Sequence, residues 1–251
     1  MQLQNFEKFN KSLHQIAKKQ NDSIEKMLFN LSCSEPLPNA MSLLAKDHKA
    51  PLKTRPVVAA IDSPGTALSK FLADELKPLL LKVKSHLFDT KQFIDSLTEL
   101  QENLTTIDNQ IFFGSFDVTN LYGSIPLEGN NNVFDCFVNF FDEHKDTTVL
   151  SEINCSDIRD LLKLAILSDT TIIDNNNFSQ VKGLAMGNNL SPLLAIIYMD
   201  NIEESLLSSF PSIVFWKRYI DDIFLVSTTH LSSILNHANS ISEHIKFTAE
   251  Q

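Results

Sequence analysis

The sequence predicts an α+β fold in which short strands are separated by long helical insertions. Two apolar segments, 111–116 and 223–226, have the composition of buried strands, and each adjoins an aspartate. Longer segments between the strand-like pieces carry apolar residues at helical spacing. No internal repeat or low-complexity tract interrupts this pattern. A chain of 251 residues is long enough to bury a core as one large domain or two small ones.

The first half of the chain predicts four kinds of segment. Helical spacing over residues 1 to about 30 predicts a surface or docking helix, and the prolines of 30–41 indicate a connector. The remaining predictions in this half are strands at 42–45 and 56–61, a turn at 62–65, and helices at about 66–81 and 91–104.

The second half predicts a strand at 111–117, ended by Asp117 and by a turn at 123–126. The further elements are helices at about 130–143, 155–168, 191–207 and 230–243, a hairpin of 171–173 and 178–181 around the turn 174–177, a glycine-bearing loop at 183–187, a hairpin at 213–227, and a strand at 245–248.

Composition favours a globular protein: 43% of the residues are hydrophobic and 21% are charged. No apolar run approaches the roughly 20 residues of a membrane span, and the N-terminus lacks a signal-peptide core. The three cysteines are widely spaced, which is typical of reduced thiols and not of a disulfide framework or zinc site. We therefore expect an intracellular protein of the nucleus or cytoplasm, neither secreted nor bound to a membrane.

The charge is unevenly distributed along the chain. The net charge is −10, yet residues 45–91 hold nine Lys or Arg against five acids. A basic segment within an acidic protein is a candidate phosphate-contacting surface. A solvated face with chance clustering of lysines would give the same count.

Adjacent carboxylates interrupt the second predicted hairpin at Asp221 and Asp222. A charge removed from water costs several kcal/mol unless it is paired or coordinates a metal. Asp is also a good turn residue, so the pair alone could be the tip of an exposed hairpin. Asp117, which ends another apolar strand, favours the first interpretation, because three carboxylates at the ends of neighbouring strands can hold two Mg²⁺ ions. Two ions about 4 Å apart can stabilise the attacking and leaving oxygens of phosphoryl transfer.

Five segments, in order, resemble the motifs of reverse transcriptases in the form found in Penelope-like retroelements. Phe116-Asp-Val-Thr-Asn-Leu-Tyr-Gly-Ser-Ile-Pro126 resembles motif A, Gly183-Leu-Ala-Met-Gly-Asn-Asn-Leu-Ser-Pro192 motif B, and Arg218-Tyr-Ile-Asp-Asp-Ile-Phe224 motif C. Lys46-Asp-His-Lys-Ala-Pro-Leu-Lys-Thr-Arg-Pro-Val-Val58 is similar to the fingers motif, and Ile245-Lys-Phe-Thr-Ala-Glu250 to the start of motif D. The resemblance extends from about residue 42 to the C-terminus.

This resemblance implies the fingers and palm of a right-hand polymerase, with an antiparallel palm sheet packed on helices. It implies an N-terminal helical extension at 1–40, fingers at 41–110, and a palm at 111–251 with a helical insertion at 130–170. The chain ends just inside motif D, so we expect the thumb and the endonuclease of the family to be absent from it.

The same resemblance implies a role for each motif residue at the metal site. Asp117 and Asp221 would be the principal ligands of two Mg²⁺ ions, for which Mn²⁺ can substitute, with Asp222 as a weaker ligand. The carbonyl of Val118 would complete one metal shell. Lys246 would be the general acid that protonates the leaving pyrophosphate.

Further residues would bind substrate. Tyr122 would occupy the steric-gate position that excludes ribonucleotides, with an amphipathic core residue whose hydroxyl lies at the surface as the less favoured alternative. Arg55 and Lys46 would clamp the triphosphate of the incoming deoxynucleotide, with surface salt bridges as the alternative. Gly187 would let the backbone approach the template–nucleotide pair, and Ser191 begins the helix behind the site.

The resemblance implies an RNA-directed DNA polymerase that extends a primer on an RNA template with deoxynucleotides. Two departures, Gly123-Ser124 in motif A and Asn188-Asn189 in motif B, alter loops of the nucleotide pocket without removing a metal ligand. A catalytically inactive remnant that binds RNA or a protein remains the alternative. Another two-metal palm enzyme, such as a nucleotidyl cyclase, would explain the carboxylates but not the fingers motif.

Overall fold

The computed structural model describes residues 2–32, 37–46, 53–59, 61, 63–104, 110–168, 170–174 and 176–250. The helices among them are α1 Gln2–Ala17, α2 Asp22–Phe29, α3 Thr66–Leu76, α4 Thr90–Leu104, α5 Leu121–Ser124, α6 Val133–His144, α7 Cys155–Leu167, α8 Ser191–Ser209 and α9 Leu231–Ile241, with 3₁₀ turns at Lys77–Lys82 and Lys145–Thr147. The strands are β1 Asn39–Lys46, β2 Lys53–Ala59, β3 Phe112–Val118, β4 Thr170–Ile173, β5 Asn176–Ser179, β6 Ile213–Tyr219, β7 Asp222–Ser227 and β8 Phe247–Glu250. The predicted α+β class is confirmed.

The chain divides into two compact units, and each unit joins two separate stretches of sequence. The first unit holds residues 1–79 and 126–194, and the second holds 80–125 and 195–251. No described helix is both long enough and apolar enough to cross a membrane. The fingers and palm boundaries inferred from the motifs stay a prediction.

The first unit begins with two helices where one was predicted. Helix α1 ends at Ala17, and the side chain of Asn21 then caps α2 by accepting hydrogen bonds from the backbone N–H groups of Ser23 and Ile24. An Asn side chain at this position satisfies donors that the first helical turn leaves unpaired, so it favours a fresh helix start.

The sheet of the first unit has the strand order β2-β1-β4-β5. Strands β1 and β2 are antiparallel, β4 runs parallel to β1, and β5 returns antiparallel to β4. The predicted connector 30–41 is shorter than expected because β1 already begins at Asn39. The predicted turn 174–177 is also too long, since β5 begins at Asn176 and pairs with Ile173.

Helix α3 is shorter than its predicted span of 66–81. It ends at Leu76, and residues 77–82 continue as a 3₁₀ turn. Pro78 lies at this transition, where it lacks a backbone donor and its ring crowds the preceding helical turn. The predicted turn at 62–65 includes Asp62, which lies outside the described residues.

The sheet of the second unit has the order β6-β7-β3-β8, and all its strand pairs are antiparallel. The predicted hairpin 213–227 is confirmed, with β6 and β7 joined through Ile220 and Asp221. One face of this sheet is buried through Phe116 and Val118 on β3 and Ile223 and Leu225 on β7. This apolar face fixes the register in which the aspartates are presented on the other face.

Candidate active site

Asp117 and Asp222 are directly opposite each other in the pairing of β3 with β7. Side chains of opposed residues on antiparallel strands leave the sheet on the same face, about 5 Å apart at their Cβ atoms. Two carboxylates in this arrangement repel each other. The repulsion between these two side chains opposes folding, and their positions concentrate hard oxygen donors at one end of the sheet.

Asp221 is anchored to the same place through its backbone. The N–H of Val118, the residue after Asp117, donates a hydrogen bond to the Asp221 carbonyl at 3.0 Å. The preceding turn residue, Ile220, has a φ of 57°. A positive φ is rare for a β-branched side chain and costs roughly 1–2 kcal/mol. Strain of this kind recurs at functional sites, where surrounding contacts enforce it.

Those surrounding contacts include Arg218, which is 0% exposed. Its Nε donates to Oε1 of Glu203 at 2.7 Å and its Nη2 to Oε2 at 3.0 Å. Its Nη1 donates to the carbonyl of Ile220 at 3.1 Å. The guanidinium thus joins a buried acid on α8 to the strained turn.

Glu203 is the functional candidate that the sequence analysis missed. Besides the arginine it accepts hydrogen bonds from Nε1 of Trp216 at 2.9 Å and from the hydroxyl of Ser85. Its side chain is 1% exposed. The only signal in the sequence is an acid within the most apolar helix, where a charge needs a partner.

His86 and Asp200 lie against this cluster and respond to it. Burial, followed by the positive charge of Arg218, lowers the pKa of His86 to about 4. Burial, followed by the negative charge of Glu203, raises the pKa of Asp200 to about 6. Around neutral pH, His86 is therefore uncharged, and Asp200 titrates close to that range.

Tyr122 lies on the short helix α5, five residues after Asp117. Burial of its ring, and then the negative charge of Asp221, raise the pKa of its phenol. The hydroxyl is therefore protonated at neutral pH and lies within electrostatic range of Asp221. The role of Tyr122 as a steric gate stays a prediction.

Lys246 is held at the C-terminus of helix α9. Its ammonium donates to the carbonyls of Asn239 and Ser242, both at 2.8 Å, while its own carbonyl accepts from the N–H of Thr119. A lysine is favourable at a helix C-terminus because the carbonyls there are unpaired. To act as a general acid, the side chain would have to leave these carbonyls, so that role stays a prediction.

Within the first unit, the cationic residues of the fingers motif share one face of a hairpin. Leu44 pairs with Arg55 and Lys46 with Lys53, and these four positions alternate onto the same side of the β1–β2 ribbon. Arg55 is exposed. The side chains of Lys46 and Lys53, and residues 47–52 including His48, lie outside the described part of the chain. A clamp of Arg55 and Lys46 on a triphosphate stays a prediction.

Gly187 has a structural requirement for glycine that the sequence does not reveal. Its φ is 112°, and a Cβ there would lie 2.1 Å from the carbonyl oxygen of Val58 on β2. The N–H of Val58 donates to the carbonyl of Met186 at 2.7 Å. The motif B loop thus touches the backbone of β2, and an approach to a template–nucleotide pair stays a prediction.

The departure at Asn188 also has a structural role. The Asn188 side chain is buried; its amide donates to Oγ of Ser69 at 3.0 Å, and its Oδ1 accepts from the N–H of Leu190 at 2.9 Å. These bonds fasten the loop to α3. Ser191 is fully buried, and its hydroxyl has no hydrogen-bond partner among the described residues. In this conformation Ser191 does not reach solvent.

The donor chemistry of the aspartate cluster fits Mg²⁺. No group of three or more His, Cys, Asp or Glu side chains in the described residues is placed to enclose a metal. Mg²⁺ is usually held by one or two carboxylates together with waters and substrate phosphates, and not by a complete protein cage. The opposed pair of Asp117 and Asp222 supplies two carboxylates, and joint coordination by all three aspartates stays a prediction.

A cleft of about 520 Å³ lies beside the hairpin within the second unit. Its lining combines aromatic rings with one lysine and two carboxylates, and includes Phe88, Asp89, Phe93, Lys217, Tyr219, Asp222 and Phe224. Tyr219 is about half exposed at its edge. Exposed rings next to a cation are features of sites for unpaired nucleic acid, although the ammonium of Lys217 also donates to the Lys84 carbonyl.

Solved polymerases share this fold at low sequence identity. A telomerase from Candida tropicalis, truncated from its C-terminal domain, matches with a TM-score of 0.57 and 13% identity over 86% of this chain and 51% of its own. A Candida albicans telomerase in complex with a TWJ fragment of telomeric RNA matches with a TM-score of 0.58 and 12% identity, over 86% of this chain and 43% of its own. The Sicinivirus 3Dpol RNA-dependent RNA polymerase matches with a TM-score of 0.53 and 14% identity, over 85% and 45%. The chain thus spans about half the length of these structures or less.

A comparison with curated proteins gives no match. The family model described as reverse transcriptase (RNA-dependent DNA polymerase) matches residues 45–249, which include Asp117, Asp221 and Asp222. The chain therefore belongs to the reverse transcriptase family.

Proposed function

We propose that this chain is the fingers-and-palm portion of a retroelement reverse transcriptase of the Penelope-like type, and that it extends a primer on an RNA template with deoxynucleotides. The observation that carries the proposal is the opposition of Asp117 to Asp222, with Asp221 bonded to Val118 at the same end of the sheet. Membership of the reverse transcriptase family supports the reaction class. The Penelope-like subtype rests on the motif resemblance alone.

The reaction is an in-line displacement at phosphorus. The 3′-oxygen of the primer forms a bond to the α-phosphorus of a deoxynucleotide, and the bond from that phosphorus to the leaving pyrophosphate breaks. Asp117, Asp221, Asp222 and the Val118 carbonyl would hold two Mg²⁺ ions. Bound Mg²⁺ supplies charge stabilisation for the attacking and leaving oxygens.

The protein's own groups bind and orient the substrates. Tyr122 would exclude the 2′-hydroxyl of a ribonucleotide, and Lys246, once released from its helix end, would give a proton to the pyrophosphate. In the first unit, Arg55 and Lys46 would bind phosphate, for which a guanidinium fork is well shaped. The cleft beside Tyr219 would stack unpaired bases near the start of β7.

Primer extension tests the proposal. The purified chain is given an RNA template with an annealed DNA primer, deoxynucleotides, and Mg²⁺ or Mn²⁺. Asp221→Ala is the test variant, and Asp95→Ala, on the exposed face of α4, is its matched control. Extension that survives in Asp95→Ala and disappears in Asp221→Ala supports the polymerase.

The opposite outcome supports the alternative function. If neither wild type nor variant extends the primer, and both bind RNA with an affinity that falls steeply with salt, the chain is a binding module derived from a polymerase. If the wild type does extend the primer, ribonucleotides in place of deoxynucleotides test Tyr122, because Tyr122→Ala should admit them if its ring is the gate.

A further inference from the structure

We propose that Arg218 is a positioning residue that sets the orientation of Asp221, and that Glu203 holds Arg218 in place for this purpose. The inference deepens the proposed function, because it assigns residues outside the metal ligands to the placement of one of them. All the contacts that carry it lie within the second unit.

The first argument is geometric and concerns the peptide group between Ile220 and Asp221. Nη1 of Arg218 donates to the carbonyl oxygen of that group at 3.1 Å. A peptide group is planar, so fixing its oxygen restricts the rotation of the whole unit, including the bond to the Cα of Asp221. Arg218 therefore acts on Asp221 from its N-terminal side.

The other side of Asp221 is fixed by a different strand. The N–H of Val118 donates to the carbonyl of Asp221 at 3.0 Å, and this carbonyl belongs to the peptide group between Asp221 and Asp222. Both peptide groups that flank Asp221 are thus hydrogen-bonded to residues outside the turn. The Asp221 backbone therefore has little freedom, and the side chain projects from a Cα atom whose orientation is fixed.

The second argument concerns the position of Arg218 itself. Its backbone N–H donates to the Ser85 carbonyl and its carbonyl accepts from the Leu87 N–H, both at 2.8 Å. Its guanidinium binds Glu203 through two parallel hydrogen bonds and also reaches the carbonyl of Ile196 at 3.2 Å. Backbone and side chain are therefore both held, so the donor that reaches the turn cannot swing away from it.

The third argument is energetic. Burying an arginine and a glutamate is expensive, and replacing such a pair by apolar residues is often neutral or stabilising. Arg218 and Glu203 are 0% and 1% exposed, so stability alone is a weak reason for their presence. Ile220 holds a φ of 57° that its side chain disfavours. The hydrogen bond from Arg218 opposes relaxation of that turn.

Two variants separate positioning from stability. Arg218→Met combined with Glu203→Gln removes both buried charges, keeps an acceptor for Trp216 and a partner for Ser85, and removes the donor to Ile220. Arg218→Lys retains the charge beside Glu203 but replaces the planar fork by a single ammonium. Asp157→Asn, which weakens the buried contact of Asp157 with Lys19 in the first unit, is the control for a general loss of stability.

The primary measurement is the affinity for Mn²⁺ alone, read from the electron paramagnetic resonance signal of free Mn²⁺, together with the melting temperature. Partners of metal ligands commonly contribute 10- to 100-fold to metal affinity or activity. We expect the double variant to melt close to wild type and to bind Mn²⁺ about tenfold more weakly. Arg218→Lys should be intermediate, and Asp157→Asn should melt lower with unchanged Mn²⁺ affinity.

Primer extension supplies a second readout. A displaced Asp221 should lower kcat and leave the KM for the deoxynucleotide unchanged, because the chemical step is affected and nucleotide binding is not. Wild-type Mn²⁺ affinity and kcat in a folded double variant would overturn the inference. If the double variant does not fold, the same result in Arg218→Lys overturns it, as does a wild-type chain whose Mn²⁺ binding does not depend on Asp221. A wild type that binds Mn²⁺ through Asp221 without extending primers would contradict the proposed function. The positioning role of Arg218 would then still be decided by the Mn²⁺ affinities of the variants.

Discussion

A Cβ atom at Gly187 would lie 2.1 Å from the carbonyl oxygen of Val58, closer than any side chain can approach a backbone atom. Gly187→Ala should therefore lower the free energy of unfolding by roughly 2–3 kcal/mol, from the contact and the positive φ together. Urea unfolding of the purified wild type and variant measures this loss of stability.

Gly129→Ala is the matched control for that change. Gly129 also has a positive φ, of 84°, but a Cβ there would have nothing within 4 Å. Gly129→Ala should lower the free energy of unfolding by only about 1 kcal/mol, which is the cost of the positive φ alone. Equal losses for the two variants would show that the contact with Val58 contributes nothing.

Asn188→Ala should lower the free energy of unfolding by about 1–3 kcal/mol, because it leaves the N–H of Leu190 without its acceptor and removes the buried hydrogen bond to Ser69. The neighbouring Asn189 is exposed, and Asn189→Ala should change stability by less than about 0.5 kcal/mol. Comparable unfolding curves for the two variants would refute the role of Asn188 as a fastener of the loop.

Asp222→Asn should stabilise the protein in the absence of divalent ions by about 0.5 kcal/mol, since it removes the repulsion from the facing Asp117. Mg²⁺ should raise the melting temperature of the wild type by binding the folded state, and should raise that of the variant less. Thermal melts in chelator and in Mg²⁺ measure both effects. A variant that melts below wild type in chelator would contradict the expected repulsion.

Asp200 should make stability depend on pH. Its pKa is raised from 3.8 to about 6 on folding, so between these values the folded state binds more protons than the unfolded state. Stability should therefore fall as the pH rises from about 4 to 6, and the cost is fully present above that window. Asp200→Asn should raise the free energy of unfolding by about 1–2 kcal/mol at neutral pH. This is about half of the energy that corresponds to the full pKa shift, because solvent screens a half-buried group.

The gain from Asp200→Asn should shrink as the pH is lowered toward 4, where Asp200 is protonated in both states. Denaturant unfolding at several pH values measures this trend, with the exposed Asp95→Asn as the reference. A gain that is the same at every pH would assign the effect to something other than titration of this carboxyl.

The sequence predicts those parts of the fold that local patterns encode. The β6–β7 hairpin follows from apolar alternation on both sides of a polar turn, and Asp117 follows from its place at the end of an apolar strand. The 3.6-residue spacing across 66–81 outweighed Pro78, so the helix was predicted too long. The apolar spacing over 1–30 predicts one helix, and it hides the signal of Asn21, which caps the start of the second helix.

The contacts that hold the site could not be predicted in the same way. Glu203 and Arg218 lie on a helix and a strand, and no spacing rule connects them. The need for glycine at 187 comes from the backbone of β2, which is distant in sequence. Asn188 looked like a departure that weakens a pocket loop, and only its partners on α3 and in the loop identify it as a structural residue.

The buried pairing of Arg218 with Glu203 restricts how this protein can evolve. Loss of either residue alone leaves an uncompensated charge in the interior, at a cost of about 3–5 kcal/mol, whereas a joint replacement can be nearly neutral. Descendants should therefore keep both residues or exchange both, and single exchanges should be rare. The two positions are expected to vary together among relatives, even though one lies in motif C and the other lies on α8 beyond the end of motif B.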